Sequence, residues 1–437
     1  MSGHASGIAH RSRIRRQLGW QAVSNLGVAG IGGVYLIYLG RALGLREFGL
    51  YALITAITTF AFTCTDPRAH EAIVKFVSQW RDEPGQARHS LFVLFVADCA
   101  GRLSIWILLL VGAPIIEQLL LHGSAAGLLL IGATGTFASK LGNNAAIGVL
   151  RVFGKFDWQA SLLISSWSVK LVVTLIAMTF IGPSVVAVLL IAYACDIAAN
   201  VIAIAKAVRE LKSAGLWATL RPRDRALHAH PQIKRFLLSG VGISLADSFV
   251  RELDTTVVGW SMPLETVGLY RMAKNMVLLV WRGLDPVCVV LMPEFAKLAA
   301  AGDYREITRI GMRATRLVFL VALIALLACV TLLPVAVPVV LGQQFSGIVP
   351  ATTIMLVGLL IGAPLIWNYA RWVAAGRLGV QLFANVLAGT LAGALFVILT
   401  PRFGLNGASV GFAVAISMPF VLSHALWRLH ARRISST

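Results

Sequence analysis

Apolar residues along this chain come in continuous runs of about twenty, set apart by short polar connections, and the runs recur from end to end. A helix of about 20 residues crosses the ~30 Å hydrocarbon core of a bilayer, whereas barrel strands would read as ~10-residue alternating segments. The runs therefore predict helices, and all backbone polar groups are then satisfied within each segment, as lipid requires. Twelve spans are expected, at about 18–40, 48–66, 90–113, 125–149, 158–181, 184–207, 236–260, 266–291, 316–341, 347–374, 379–400 and 405–427. The predicted class is an all-α membrane protein.

Composition agrees. Of 437 residues, 58% are hydrophobic and only 13% charged, about half the charged share of an ordinary soluble domain. The net charge of +19 could suggest nucleic-acid binding, but its placement argues for no nucleic-acid partner. Lys and Arg concentrate in alternate connections: Arg11, Arg13, Arg15 and Arg16 before the first span, Lys75 and Arg88 in the second connection, Arg151 and Lys155 in the fourth. Arg209 to Arg235 follow in the sixth, Lys297 to Arg313 in the eighth, and Arg428, Arg432 and Arg433 at the end. The opposite connections hold only Arg41, Arg46 and Arg402. By the positive-inside rule both termini are expected in the cytoplasm, and the basic N-terminus with its long first run reads as a retained helix rather than a cleaved signal.

The basic sixth connection, with Pro222 and Pro231, marks a boundary: a six-helix bundle over 1–208, a linker over 209–235 and a second bundle over 236–437. A single offset of 219 aligns the two parts without gaps, pairing Arg16 with Arg235, Gly40 with Gly259, Gly49-Leu50-Tyr51 with Gly268-Leu269-Tyr270, and Asp66-Pro67 with Asp285-Pro286. An even number of spans separates the copies, so they enter the membrane in the same direction and are related by an axis along its normal, a transporter plan with the substrate site between repeats.

Charges inside the spans cost at least ~2.5–3.5 kcal/mol each near the bilayer centre, so they are expected to pair or to line a wet cavity. The seventh span holds Asp247, Arg251, Glu252 and Asp254, and the eighth holds Arg271, Lys274, Arg282 and Asp285. Spacing puts Asp247, Arg251 and Asp254 on one helical face, and Arg271 with Lys274 on another. Two readings stay open: buried ion pairs that fix helix register, or a cavity whose cations Arg251, Arg271, Lys274 and Arg282, with Lys170 of the fifth span, bind an anionic head group. Asp98 and Arg102 are expected to pair across one turn, and Asp98, Asp196 and Asp254 are candidate ion-coupling carboxylates.

The pairs Gly358/Gly362, Gly389/Gly393 and Gly407/Gly411 predict close helix packing, and Pro114, Pro286, Pro334, Pro338, Pro364 and Pro419 predict bends. Cys64, Cys99, Cys195, Cys288 and Cys329 lie in or beside apolar runs without Cys-x-x-Cys spacing and read as small hydrophobes. His228 and His230 have no further ligand candidates near them, no phosphate loop, zinc motif or nucleophile elbow occurs, and no metal, cofactor or catalytic residue is expected.

The segment from Gly40 through Arg41-Ala42-Leu43-Gly44-Leu45-Arg46-Glu47-Phe48 to Gly49-Leu50-Tyr51 resembles the signature after the first helix of Wzx-type polysaccharide biosynthesis flippases, of the multidrug/oligosaccharidyl-lipid/polysaccharide exporter superfamily. Asp254 through Gly259, Gly268-Leu269-Tyr270, Pro293 and Phe295 looks like the counterpart in the second half. The resemblance implies two six-helix bundles forming a V around a cationic cavity, alternating access, and export of an undecaprenyl-diphosphate-linked oligosaccharide across the bacterial inner membrane for O-antigen, capsule or exopolysaccharide assembly. Membrane lipids and polysaccharide polymerases are the partners it implies. Many relatives carry two more C-terminal helices, which speaks against a lipid II flippase, and cations are denser here in the second half than in the first. An ion-coupled multidrug antiporter of the same superfamily is the first alternative, and would need an acid-dominated cavity. A membrane-embedded glycosyl- or acyl-transferase is the second, and would need a larger extramembrane loop than the sequence offers.

Overall fold

In a computed structural model of the protein, residues 2–79, 83–120, 127–217, 231–375 and 378–435 are described; the side chains of Asp247, Arg251, Asp285 and Cys288 lie outside that description, as do His228 and His230. Every described element is helical: α1 (Ser2–Cys64), α2 (Ala69–Gln79), α3 (Pro84–Leu120), α4 (Leu128–Lys140), α5 (Asn143–Val152), α6 (Phe156–Ile181) and α7 (Val185–Ser213). There follow α8 (Pro231–Arg251), α9 (Leu253–Ser261), α10 (Leu264–Ala300), α11 (Tyr304–Val340), α12 (Ile348–Gly362), α13 (Trp367–Ala374) and α14 (Leu378–Ser435). Each of the twelve predicted spans falls on these helices.

The ends and breaks follow from local chemistry. Gly44, at φ +75°, turns α1 between the first and second spans, and Gly404, at φ +56°, turns α14 between the last two. Both positions need the backbone freedom that only glycine has without strain. Asp303 starts α11 by accepting the Glu306 amide at 3.0 Å. Three spans are interrupted, the fourth at Gly142 (φ +70°), the seventh at Glu252 and the tenth at a short 3₁₀ turn containing Pro364, which has no amide hydrogen to give. Pro114 lies within α3 and Pro334 and Pro338 within α11.

Seven continuous stretches among the described residues are long and apolar enough to cross a membrane. Their outer faces are apolar where a soluble protein would be polar: on α11, Leu317, Leu320, Ile324 and Leu327 are all more than half exposed, at the spacing of one helix face. Such a stripe is stable only against hydrocarbon, so the chain is a multi-pass membrane protein.

The chain forms two compact units, one of residues 1–32 and 54–248, the other of 33–53 and 249–437. The division is offset from the linear halves, because residues 33–53 of the first repeat pack within the second unit. In the first unit, α2, α3, α5 and α7 enclose a core of Ile73, Phe76, Leu94, Leu150 and Ala207. In the second, α12 crosses α14 closely: a Cβ on Gly358 would lie 2.4 Å from Ala413 Cα, and one on Gly362 2.6 Å from Ser417 Cα. The first small-residue pair thus packs as its spacing predicts. Gly407 and Gly411 bring the two arms of α14 together, since a Cβ on each would strike Leu399 and Phe396 respectively.

Within the second unit, the segment 33–53 meets its own repeat counterpart reciprocally. A Cβ on Gly49 would lie 1.8 Å from the Leu264 carbonyl oxygen, and one on Gly268 2.7 Å from that of Leu45. A Cβ on Gly40 would lie 2.7 Å from Met272, and one on Gly259 2.4 Å from Leu53. All four residue pairs are related by the same offset of 219. If residue i touches j, and the counterpart of i touches the counterpart of j, the two segments are related by a two-fold axis. The repeat detected in sequence is thereby a local two-fold relation between these two segments of the second unit.

Candidate functional site

The break at Glu252 positions the charged centre of the second unit. It ends the helix and starts a new one, α9, so Asp254 sits in a first helical turn, where the dipole favours a carboxylate. Asp254 Oδ1 accepts from the Thr255 amide at 2.6 Å and from Lys274 Nζ at 2.8 Å, and Oδ2 accepts the Tyr270 hydroxyl at 2.5 Å. Asp254 and Lys274 are 3% and 2% exposed, so this is a fully buried ion pair with most lone pairs engaged. Tyr270 and Lys274 lie four apart on α10 and reach the same carboxylate. The Lys274 ammonium also lies 5.9 Å from the centre of the Phe412 ring.

Next to it, Arg271 Nη1 donates to Glu252 Oε2 at 2.9 Å. This second pair is about one-fifth exposed on each side chain, whereas the Asp254–Lys274 pair is sealed. A cavity of about 20 Å³, room for roughly one water, adjoins Asp254. Gly389 and Gly393 are among its walls, so that pair leaves space beside a carboxylate where close helix packing was expected, and a Cβ on Gly393 would meet nothing within 4 Å.

The helix that carries Asp247 and Arg251 stops at Glu252, and Asp254, in the first turn of α9, reaches Lys274 and Tyr270 of α10. Arg271 and Lys274 are brought together, but each is matched by its own acid. Arg282 is exposed and forms no ion pair among the described residues, and the Arg251 side chain lies outside them.

In the first unit, Lys170 of α6 donates to Asp196 of α7 at 2.7 Å and lies 4.6 Å from the Trp167 ring centre. No acid within a turn of Lys170 was visible in sequence because its partner is on the next helix. Asp98 pairs with Arg102 at 3.1 Å as the spacing predicts, and both belong to a larger cluster. Arg102 lies 3.6 Å from Asp66, and the Asn144 amide donates to Asp66 and Asp98 at 2.9 and 3.0 Å. Asn144 stands just after the Gly142 break that divides the fourth span.

Arg371 of α13 was overlooked in sequence, although it lies inside the tenth predicted span between Trp367 and Trp372. It is fully buried. Its guanidinium carbon lies 4.7 Å from the Trp367 ring centre and 4.1 Å from that of Trp427, it donates to the Asn368 side chain, and its Nε and Nη1 have no hydrogen-bond partner among the described residues. Arg stacks on aromatic faces better than Lys, which fits this cage.

Comparisons with known proteins follow the same lines. Residues 14–299 match the family described as polysaccharide biosynthesis protein. No curated protein matches the chain in sequence. Among solved structures, the lipid II flippase MurJ in an inward closed conformation is similar at 14% identity and a TM-score of 0.75, covering 93% of this chain and 87% of that one. An inward-facing multidrug resistance MATE family transporter of the MOP superfamily has 13% identity and a TM-score of 0.69, with 96% and 95% covered. A mutant of the Vibrio cholerae MATE transporter VcmN has 14% identity and a TM-score of 0.62, with 99% of each chain covered. At these identities the likeness establishes fold. The chain belongs to the polysaccharide biosynthesis protein family, with the fold of the flippases and exporters of the MOP superfamily.

Proposed function

We propose that this protein is a flippase that moves an undecaprenyl-diphosphate-linked oligosaccharide from the cytoplasmic to the periplasmic leaflet of the inner membrane, for assembly of O-antigen, capsule or exopolysaccharide. The observation that carries the reading is the partly exposed Arg271–Glu252 pair beside the sealed Asp254–Lys274 pair. A guanidinium fork suits a diphosphate, and an acid already holding that fork sets a limit on affinity, which turnover requires. The diphosphate displaces Glu252 from Arg271 on binding, and Glu252 reclaims Arg271 on release. Arg251 and Arg282 supply further positive charge on the same helices, and Lys170 on the first unit contributes once freed from Asp196.

Asp254 is the ion-coupling candidate this reading favours over Asp98 and Asp196. A water-sized space adjoins its carboxylate, and Lys274 provides a built-in competitor for a proton or sodium ion. Alternating access presents the site to each leaflet in turn, with both termini in the cytoplasm and the polysaccharide polymerase receiving the product outside. The linear domain plan, bundles over 1–208 and 236–437 joined by the basic linker, belongs to the same proposal.

A drug/cation antiporter would use an acid-dominated site. Here Glu252 and Asp254 are both matched by cations, which favours the flippase. Deleting the gene and fractionating lipid-linked glycans tests the proposal. Intermediates accumulating on the cytoplasmic face support it; unchanged glycans with altered drug tolerance would favour the antiporter.

A further inference from the structure

On the first unit, which carries the basic second and fourth connections, α2 crosses α5 so closely that a Cβ on Gly148 would lie 2.9 Å from Ile73. Beyond the crossing opens a cleft of about 530 Å³, walled by Glu71, Val74, Lys75, Arg151 and Phe156. This is the size of a ligand site, and it is distinct from the charged centres described above.

Its electrostatics are one-sided. Glu71 is the one acid among these walls, and its carboxylate is drawn aside by Arg68 at 3.3 Å and His70 at 3.8 Å. Arg151 forms no ion pair among the described residues, and its Nε is buried without a hydrogen-bond partner. Lys75 is exposed, and its ammonium rests 5.2 Å from the ring centres of Phe76 and Phe236, contacts that leave its N–H groups open to an acceptor. Two cations that form no ion pair among the described residues thus line a space large enough for a phosphate.

The surroundings decide where that phosphate comes from. Helix α2 is amphipathic: Ala69, Ala72, Ile73, Phe76 and Val77 are buried in the core of the unit, while Glu71 and Lys75 are exposed, so its charged face is the one turned outward. Phe156 opens α6, and two turns further on the same face Leu163 is 41% exposed, so an apolar track leaves the cleft along a membrane-spanning helix. A free phosphate has no use for such a track, whereas an acyl chain does. We propose that this cleft binds the headgroup phosphate of an anionic phospholipid, with Lys75 and Arg151 on the phosphate and an acyl chain against Val74, Phe156 and Leu163. Basic pockets at the cytoplasmic ends of membrane helices recognise anionic lipids through this chemistry. The proposal is independent of what the protein transports.

The test is native mass spectrometry of the purified full chain titrated with phosphatidylglycerol or phosphatidylcholine. Phosphatidylglycerol should bind more tightly. Each basic contact at such a surface is worth roughly fivefold in affinity, so Lys75→Gln should weaken binding about fivefold and Lys75→Gln with Arg151→Gln about 30-fold. Arg305→Gln, which removes an equal charge from the other unit, should leave binding unchanged, and because Lys75 is exposed its variant should melt with the wild type. Equal binding of the two lipids, or an unaffected double variant, would overturn the proposal. So would displacement of phosphatidylglycerol by equimolar inorganic phosphate, which would mark a free-anion site, or a preference for undecaprenyl diphosphate, which would assign the cleft to cargo.

Discussion

Gly49 and Gly268, equivalent residues of the two repeats, pack backbone against backbone: a Cβ on Gly49 would fall 3.1 Å from the Gly268 amide nitrogen, and one on Gly268 3.3 Å from that of Gly49. Neither position has room for a side chain, since Leu264 and Leu45 carbonyl oxygens occupy the remaining space. The sequence match at this offset is therefore the trace of a reciprocal contact.

Gly49→Ala and Gly268→Ala should each destabilise the protein by about 1–3 kcal/mol through overpacking of backbone that cannot yield. Gly33→Ala, on the same helix with nothing within 4 Å of its Cβ, should be neutral or slightly stabilising. Thermal unfolding in detergent measures all three.

Asp254→Asn leaves the Lys274 ammonium buried without its counter-charge and should cost about 3–5 kcal/mol. Adding Lys274→Met should recover most of that loss, because the uncompensated charge is then gone. Asp196→Asn should cost less, on the order of 1 kcal/mol, since Asp196 is 40% exposed and that pair is less desolvated. Comparing melting temperatures of the wild type and these three variants separates a sealed pair from a less desolvated one.

Glu252→Gln removes the acid that competes for Arg271. Binding of undecaprenyl diphosphate should tighten about tenfold, the worth of one released charge-assisted contact, while the rate of translocation falls because release slows. Equal binding by both proteins would show that Glu252 does not compete for the cargo.

Arg371→Lys exchanges a stacked planar cation for an ammonium that cannot lie flat between Trp367 and Trp427. A loss of about 1–2 kcal/mol in thermal unfolding is expected, with Arg371→Met less harmful than Arg371→Lys, because a buried charge lacking an acidic partner carries a desolvation cost.

Each of the twelve runs read from hydropathy falls on helix, since run length reports on bilayer thickness, and the repeat was legible because the equivalent glycines Gly49 and Gly268 both lie where backbone meets backbone. What spacing along one helix could convey, as for Asp98 with Arg102, was also legible. Partners on different helices were not: Lys170 with Asp196, Lys274 with Asp254 and Arg271 with Glu252 are joined by packing that no single helical wheel contains. Nor did periodicity reveal the break at Glu252, after which Asp254 meets α10, because no Pro or Gly marks it. Arg371 was hidden by its own span, whose high mean hydropathy masks one cation that aromatic rings enclose.

The central claim is that Arg271 exchanges Glu252 for a diphosphate during transport. Translocation of a fluorescent undecaprenyl-diphosphate-linked saccharide across proteoliposomes tests it most directly, comparing the wild type with Arg271→Gln and with Glu252→Gln. The account predicts rapid translocation by the wild type, loss of at least about tenfold in Arg271→Gln, and tight but slow behaviour in Glu252→Gln. Translocation by Arg271→Gln at the wild-type rate, or none by the wild type, would contradict it.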